Sequence, residues 1–412
     1  MMKNETLSLS IWIMITVGCL VALTSFGLRS AFGLFLGPMA LDLSWQREPI
    51  ALALAIQNIC WGLSQPVAGA VSDKYGARIV IVVGSLFYAV GILATAHVQE
   101  PLFLMASLGI ATGIGIGFTS FGIVMAALSR IVPAQKRSVV LGMVTAASSM
   151  GQLIIVPVVQ GYIDVAGWVE AMSAMGITAL AIGALALLLQ QQKNTPTPKQ
   201  EQQPMLLTTI KCAAQTRSYV LLTLGFFVCG FQVAFIGIHL PAFIVDKGLD
   251  PILGATALAC IGLFNVAGSY IAGWWGAKYS KAYGLSAIYF GRSIVTILFL
   301  SFPVTELSTL LFASSIGLLW LSTVPLTSGL VANFFGVKVM GTLFGIVFFS
   351  HQIGSFLGVW LGGLFFDLTG SYDIVWSLNI ALGLAAAIIH LPIKDRSYAN
   401  EGNLGVLKKN QV

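Results

Sequence analysis

Charge is what this chain has least of. Of 412 residues, 9% are Asp, Glu, Lys or Arg, against roughly a quarter in an ordinary soluble domain. Such a chain cannot cover a water-facing surface. Acids are the scarcer sign, 15 against 21 bases, and none falls in the central part of an apolar run, so a catalytic general acid/base pair has no candidates. The histidines are 4 and scattered. The 5 cysteines (Cys19, Cys60, Cys212, Cys229 and Cys260) lack C-x-x-C spacing, which indicates neither a disulfide framework nor a metal centre. The glycine-rich stretch SLGIATGIGIGFTSFG (107–122) has neither the lysine nor the strand context of a phosphate loop and reads as close helix packing. No stripe of basic and aromatic residues exists, so nucleic acid is not an expected partner. An enzyme is not expected, and no cofactor is.

What the chain does have is hydrophobic length. Hydrophobic residues make up 57%, and they come in runs of the roughly twenty residues that a bilayer core of about 30 Å requires. The runs predict an all-α membrane protein of twelve transmembrane helices, over 10–38, 48–70, 79–97, 102–127, 139–161 and 168–190, then 218–242, 252–275, 285–302, 308–331, 340–366 and 373–392. The first run continues past Cys19 and reads as a retained span, not a signal peptide. Between the sets lies 191–217, whose QQQKNTPTPKQEQQP composition lacks the apolar surface to fold alone and predicts a flexible linker. The organisation expected is a six-helix half over 1–190, a cytoplasmic linker over 191–217, a second half over 218–392 and a cytoplasmic tail over 393–412.

Of the 21 Lys and Arg, Arg29 and Arg292 fall inside spans and Arg47 and Lys247 on one face, which leaves 17 on the other. The positive-inside rule then puts both termini in the cytoplasm, in a cell inner or plasma membrane. The halves are related at an offset of 203–204 residues: GLRSAFGLFLGP (27–38) aligns with GFQVAFIGIHLP (230–241), and Gly142/Gly345, Gly151/Gly354, Asp164/Asp367 and Gly167/Gly370 fall in register. Duplicated six-helix halves are the architecture of alternating access about a midplane site.

The loop after the second run, Gly69-Ala-Val-Ser-Asp73-Lys74-Tyr75-Gly76-Ala77-Arg78, resembles the major facilitator superfamily motif G-x-x-x-D-[RK]-x-G-[RK]-[RK], short of one basic residue. The second half has Ala277 where the acid would stand. The resemblance therefore implies the major facilitator fold of two six-helix pseudo-repeats, with a gating ion-pair cluster at Asp73, Lys74 and Arg78. The ending FFDLTGSYDIVW (365–376) resembles the D-x-T-G-S-Y-D segment of the monocarboxylate-porter and oxalate/formate-exchanger branch. That implies a small carboxylate substrate, moved with a proton or by exchange. The chain departs from the branch at span eight, where Asn265 and small residues replace the basic residue, and at span eleven, where His351 replaces a lysine.

Two residues carry the substrate expectation. Arg29 lies inside the first span, where a guanidinium costs at least ~2.5–3.5 kcal/mol on insertion scales. With no acid in the central part of any span, its partner is either an anionic substrate, which the guanidinium fork fits bidentately, or helix carbonyls, or the interface reached by snorkelling. His351, near the middle of span eleven, is a candidate proton-coupling and substrate-binding group, with a neutral histidine held by a helix hydroxyl as the alternative. In this family the cavity is lined by helices one, two, four and five and their mates, which implies Asn58, Gln152, Gln232, Asn265 and Gln352 as further substrate-binding residues. His239 reads as a rim residue, and Arg292 as a structural residue within snorkelling reach of the interface. The function expected is a secondary transporter of a small organic anion, as a monomer in the lipid bilayer, with a carrier of larger metabolites, siderophores or drug-like compounds as the alternative.

Overall fold

The computed structural model describes residues 9–189, 203–336 and 339–398. Twelve helical spans are long and apolar enough to cross a bilayer. The first six are Leu9–Asp42, Arg47–Tyr75, Ala77–Thr95, Pro101–Ile131, Val139–Ala166 and Trp168–Leu187. The second six are Arg217–Asp246, Pro251–Lys278, Lys281–Ser301, Glu306–Phe335, Met340–Thr369 and Asp373–His390. Each begins within a few residues of the hydropathy run that predicts it, because a backbone in hydrocarbon must satisfy its own hydrogen bonds and has only the helix to do so. An even number of crossings puts both ends of the chain on one side, called here the terminal face; the opposite side is the distal face.

The linker departs from expectation. Residues 203–215 form a helix in which Thr209 and Ala213 are buried. The Met205-Leu-Leu-Thr-Thr-Ile210 segment holds the apolar content that the preceding Gln- and Pro-rich stretch lacks; residues 190–202 lie outside the described part.

Three spans are interrupted. Span one tightens into a 3-10 turn over Phe32–Phe35, just past Arg29. Span four carries a π-helical segment, Met105–Ala111, and breaks before Phe121. Span ten breaks between Glu306–Leu319 and Thr323–Phe335. The glycines of span four pack as expected: a Cβ at Gly113 would lie 2.6 Å from the Gln57 carbonyl oxygen, and one at Gly115 2.5 Å from the Tyr88 nitrogen.

The duplication is written in helix crossings. Spans one and five cross where a Cβ at Gly151 would meet the Leu23 carbonyl oxygen at 1.9 Å, and spans seven and eleven where one at Gly354 would meet that of Phe227 at 1.9 Å. Gly151 and Gly354 are 203 apart, but Leu23 and Phe227 are 204 apart. Span seven is thus shifted one residue from the alignment of Gly27 with Gly230, and the counterpart of Arg29 is Val233. The halves also touch through such mates, since a Cβ at Gly33 would lie 2.4 Å from the carbonyl oxygen of Gly237. Elsewhere span two packs on span eleven, and span five on span eight.

Small residues let membrane helices approach closely, and helix carbonyl oxygens at 1.9 Å cannot retreat as side chains can. Gly354→Ala is expected to destabilise the second half by about 1–3 kcal/mol, read as a lower melting temperature of the purified protein. Gly345→Ala, in the same span with nothing within 4 Å of its added carbon, is expected to melt like the parent. Equal melting of both variants would contradict the crossing.

Candidate substrate site and gates

Arg29 ends the first α-helical segment of span one, where the exposed carbonyl ends favour a cation. Its Nη2 donates to Asn58 Oδ1 of span two at 3.1 Å, and its guanidinium carbon lies over Trp61 at 4.5 Å and Phe26 at 5.9 Å. Asn58 is held for this task by its own amide, which donates to the Leu54 carbonyl at 2.8 Å. A guanidinium has five N–H donors, and among the described residues one of them has a hydrogen-bond acceptor and none has a carboxylate within ion-pair distance.

The aromatic face under Arg29 continues into the other half. Trp61 meets Phe348 of span eleven edge-on, centroids 5.4 Å apart, and Phe348 stacks on His351 at 5.8 Å with an interplanar angle of 6°. The Nδ1 of His351 lies 3.3 Å from Gln352 Oε1 and 3.4 Å from Ser355 Oγ. Gln352 reaches the backbone of span two, its Cγ 2.9 Å from a Cβ at Gly62, and its buried Nε2 has no acceptor among the described residues, like the buried Nε1 of Trp61. Arg29 with Asn58 and His351 with Gln352 therefore form the two ends of one continuous wall.

The other candidates are placed elsewhere. Gln152 donates to the Leu258 carbonyl at 2.7 Å, and Asn265 to Ser149 Oγ at 3.2 Å; both tie span five to span eight, across the halves. Gln232 is taken up within its own half, donating to the Asn379 carbonyl at 3.0 Å and accepting from Arg292 at 3.3 Å. A pocket of about 470 Å³ bounded by Phe243, Lys247, Asp373 and Trp376 opens on the distal side of the second half; none of the candidate residues lines it.

Asp73 is paired, not with Lys74 or Arg78, but with Arg130 at the end of span four. Lys74 lies over the Tyr75 ring at 4.9 Å. This contact stays within the first half. On the same face of the second half Asp395 takes Lys281 at 3.6 Å and Asn333 at 2.8 Å.

A cluster of polar contacts between the halves lies on the distal face, around Arg47. Its guanidinium donates to both oxygens of Asp246, each at 2.6 Å, and to the Tyr372 hydroxyl at 2.8 Å, and lies 3.8 Å from the Phe366 ring centre. Asp367 caps the start of span two, accepting from the backbone nitrogens of Arg47 at 3.0 Å and Glu48 at 2.6 Å; a carboxylate at a helix N-terminus is favourable there. The Glu48 carboxylate in turn accepts from Trp360 at 2.8 Å. His239 is buried in this cluster instead of lying at the rim, with Nε2 2.8 Å from the Val359 carbonyl and Nδ1 3.2 Å from the Tyr372 hydroxyl. Since a carbonyl only accepts, Nε2 carries the proton; in a neutral ring Nδ1 then accepts from Tyr372. Burial pushes the Tyr372 phenol up, against the pull of Arg47, so it stays protonated. Nothing in the sequence pairs Arg47 with acids 199 and 320 positions away.

Comparisons with known proteins identify the family and the fold. The sequence pattern of the Major Facilitator Superfamily matches residues 18–359. The chain belongs to that superfamily. Similar proteins include the uncharacterized MFS-type transporter YcxA of Bacillus subtilis, 26% identical over 95% of this chain and 97% of that protein. Monocarboxylate transporter 13 of Rattus norvegicus is 24% identical over 92% and 89%, and monocarboxylate transporter 11 of Homo sapiens 24% over 92% and 82%. A solved structure of the nucleoside transporter NupG superposes with a TM-score of 0.74 over 92% of this chain and 99% of that one, at 12% identity, a likeness of fold alone. The chain is accordingly a multi-pass membrane transporter and not an enzyme.

The distal cluster joins the start of span two to spans seven and eleven and to Tyr372 of the second half. Removing the fork of Arg47 costs charge-assisted bonds worth roughly 1.5–3 kcal/mol each when shielded from water, less here because the pair is partly exposed. In a variant carrying Arg47→Gln and a cysteine at Ile50, which is buried at the start of span two, labelling by a membrane-impermeant maleimide added on the distal side is expected to speed up at least about tenfold, or about 1.4 kcal/mol. Labelling at the parent's rate would mean that this pair does not hold the face shut.

Proposed function

We propose that this superfamily member is a secondary active transporter of a small organic anion, a monocarboxylate, working by alternating access with both termini in the cytoplasm. The observation that carries the reading is the coordination of Arg29: a guanidinium on an interior wall, with one amide acceptor and no carboxylate partner among the described residues. A carboxylate supplies what is missing, two oxygens spaced to take two parallel N–H groups, and the Trp61 and Phe348 faces suit the short apolar body of such an anion. The resemblance to proteins named as monocarboxylate transporters supports the same class.

In this proposal the substrate binds between Arg29 and Asn58 on one side and His351 and Gln352 on the other. Contact with both ends couples the halves, since span two belongs to the first and span eleven to the second. His351 takes up a proton with the anion, so the loaded site carries the same net charge as the empty one and the translocated pair is electroneutral. With both termini in the cytoplasm, the face joined by Arg47 is the extracytoplasmic one.

In proteoliposomes, radiolabelled lactate or pyruvate is expected to accumulate under an inward proton gradient, with uridine as the control solute. Arg29→Gln, which keeps a hydrogen-bond donor but loses the charge and the fork, is expected to raise the half-saturating concentration at least about tenfold. Equal uptake by Arg29→Gln refutes the anchor; uptake of uridine or of a bulky drug-like compound in place of monocarboxylates refutes the substrate class.

For His351→Ala, gradient-driven accumulation is expected to fall more than exchange between equal pools, because only the former requires net proton movement. A parallel fall in both would assign His351 to binding instead of coupling.

A further inference from the structure

Arg292 lies midway along span nine, and its side chain is 2% exposed, so it does not snorkel. Its Nε and Nη2 donate to the Leu319 carbonyl at 3.1 and 2.7 Å, and Nη2 also to that of Trp320. Nη1 reaches Gln232 Oε1 at 3.3 Å and Cys229 Sγ at 3.5 Å. The two carbonyls are the orphaned acceptors at the end of the first segment of span ten, where partial negative charge gathers. The amide side of the same break is served from span eight: the Leu321 N–H donates to Asn265 Oδ1 at 3.0 Å. Asn265 is also the residue that reaches Ser149 of the first half. Both sides of the interruption are thus satisfied by side chains, one of them a full cation.

The duplication supplies an internal control. At an offset of 204, Cys229 corresponds to Ser25, Thr323 to Thr119 and Arg292 to Tyr88. The contact between Cys229 Sγ and Thr323 Oγ1 at 3.2 Å has its counterpart between Ser25 and Thr119 at 2.8 Å, beside the break of span four. There, however, the third member is a phenol that donates once, to the Ser25 carbonyl at 3.2 Å. The first half closes its break with neutral hydroxyls, and the Ser120 hydroxyl just before the next segment is buried without a partner among the described residues. A multidentate cation on bare carbonyls resists bending more than one hydroxyl does, because every angle change breaks several charge-assisted bonds at once.

We propose that Arg292 is a positioning residue that makes the break of span ten a rigid joint, so that bending during the transport cycle falls on the matching break of span four. The rigid joint holds Asn265 in register with Ser149 while the halves rock. A cation is required because the acceptors are the ends of a helix, and a fork is required because there are several of them. The inference is independent of the cargo.

Amide hydrogen exchange of the full chain in lipid nanodiscs, read by mass spectrometry on peptides spanning residues 317–325 and 116–123, tests it without a substrate. In the parent protein the span-ten break is expected to exchange at least about tenfold more slowly than the span-four break. Arg292→Gln is expected to abolish that difference while peptides from spans three and six stay unchanged, and Arg292→Lys, which keeps the charge but not the fork, to recover part of it. Equal exchange at the two breaks in the parent, no acceleration at span ten in Arg292→Gln, or acceleration spread over all spans would each overturn the proposal. So would Arg292→Lys behaving like Arg292→Gln. If Arg292→Gln does not fold, Arg292→Lys against the parent gives the same test: loss of part of the difference, confined to span ten, is the expected result, and an unchanged or a global pattern overturns it.

Discussion

A guanidinium cannot sit in hydrocarbon without acceptors, and the way this bundle meets that demand at three arginines organises most of what is described above. Arg292 is saturated by helix carbonyls and side chains of its own half. Arg47 is bound by one carboxylate, a phenol and an aromatic face of the opposite half. Arg29 is held by one amide and an indole face, and little else. On the proposed reading, the first arrangement stiffens a helix, the second closes a face, and the third leaves charge available to a ligand. A cation–π contact contributes about 0.5–2 kcal/mol, too little to replace the full hydration that an arginine gives up.

The duplicated halves make the asymmetry informative. Their helix crossings repeat almost atom for atom at Gly151 and Gly354, so the scaffold is common to both. Three charged groups are not common: Val233 stands where Arg29 would, Ala277 where Asp73 would, and Tyr88 where Arg292 would. Each half has kept the frame and specialised its polar groups. On the proposed reading the first half holds the anion, the second holds the proton, and the wall of Trp61 and Phe348 lets one sense the other.

Much of this was legible in the sequence because it is local. Span positions follow from apolar runs of bilayer length, the repeat from glycine spacing, and an arginine without an acidic partner at position 29 from one charge in a run with no acids. What was not legible is what depends on distant partners. The Arg47 cluster joins residues hundreds of positions apart. Trp61, the platform for Arg29, is an aromatic in an apolar helix and looks like packing until its neighbours are known. His239 reads as a rim residue by its depth along span seven, yet Tyr372 and Val359 enclose it. The one-residue shift of span seven arose because the matches that align Gly27 with Gly230 are conservative in composition, while the backbone contacts fix the register. The helix at 203–215 was hidden by averaging its apolar residues with the polar stretch before them.

The claim that the missing partner of Arg29 is the cargo itself is tested most directly by an experimental structure in a lipid nanodisc with a saturating monocarboxylate. The prediction is density for the anion against Trp61, with its two oxygens at about 2.7–2.9 Å from the nitrogens of Arg29. Density for the ligand elsewhere, with Arg29 still bound only to Asn58, would contradict it.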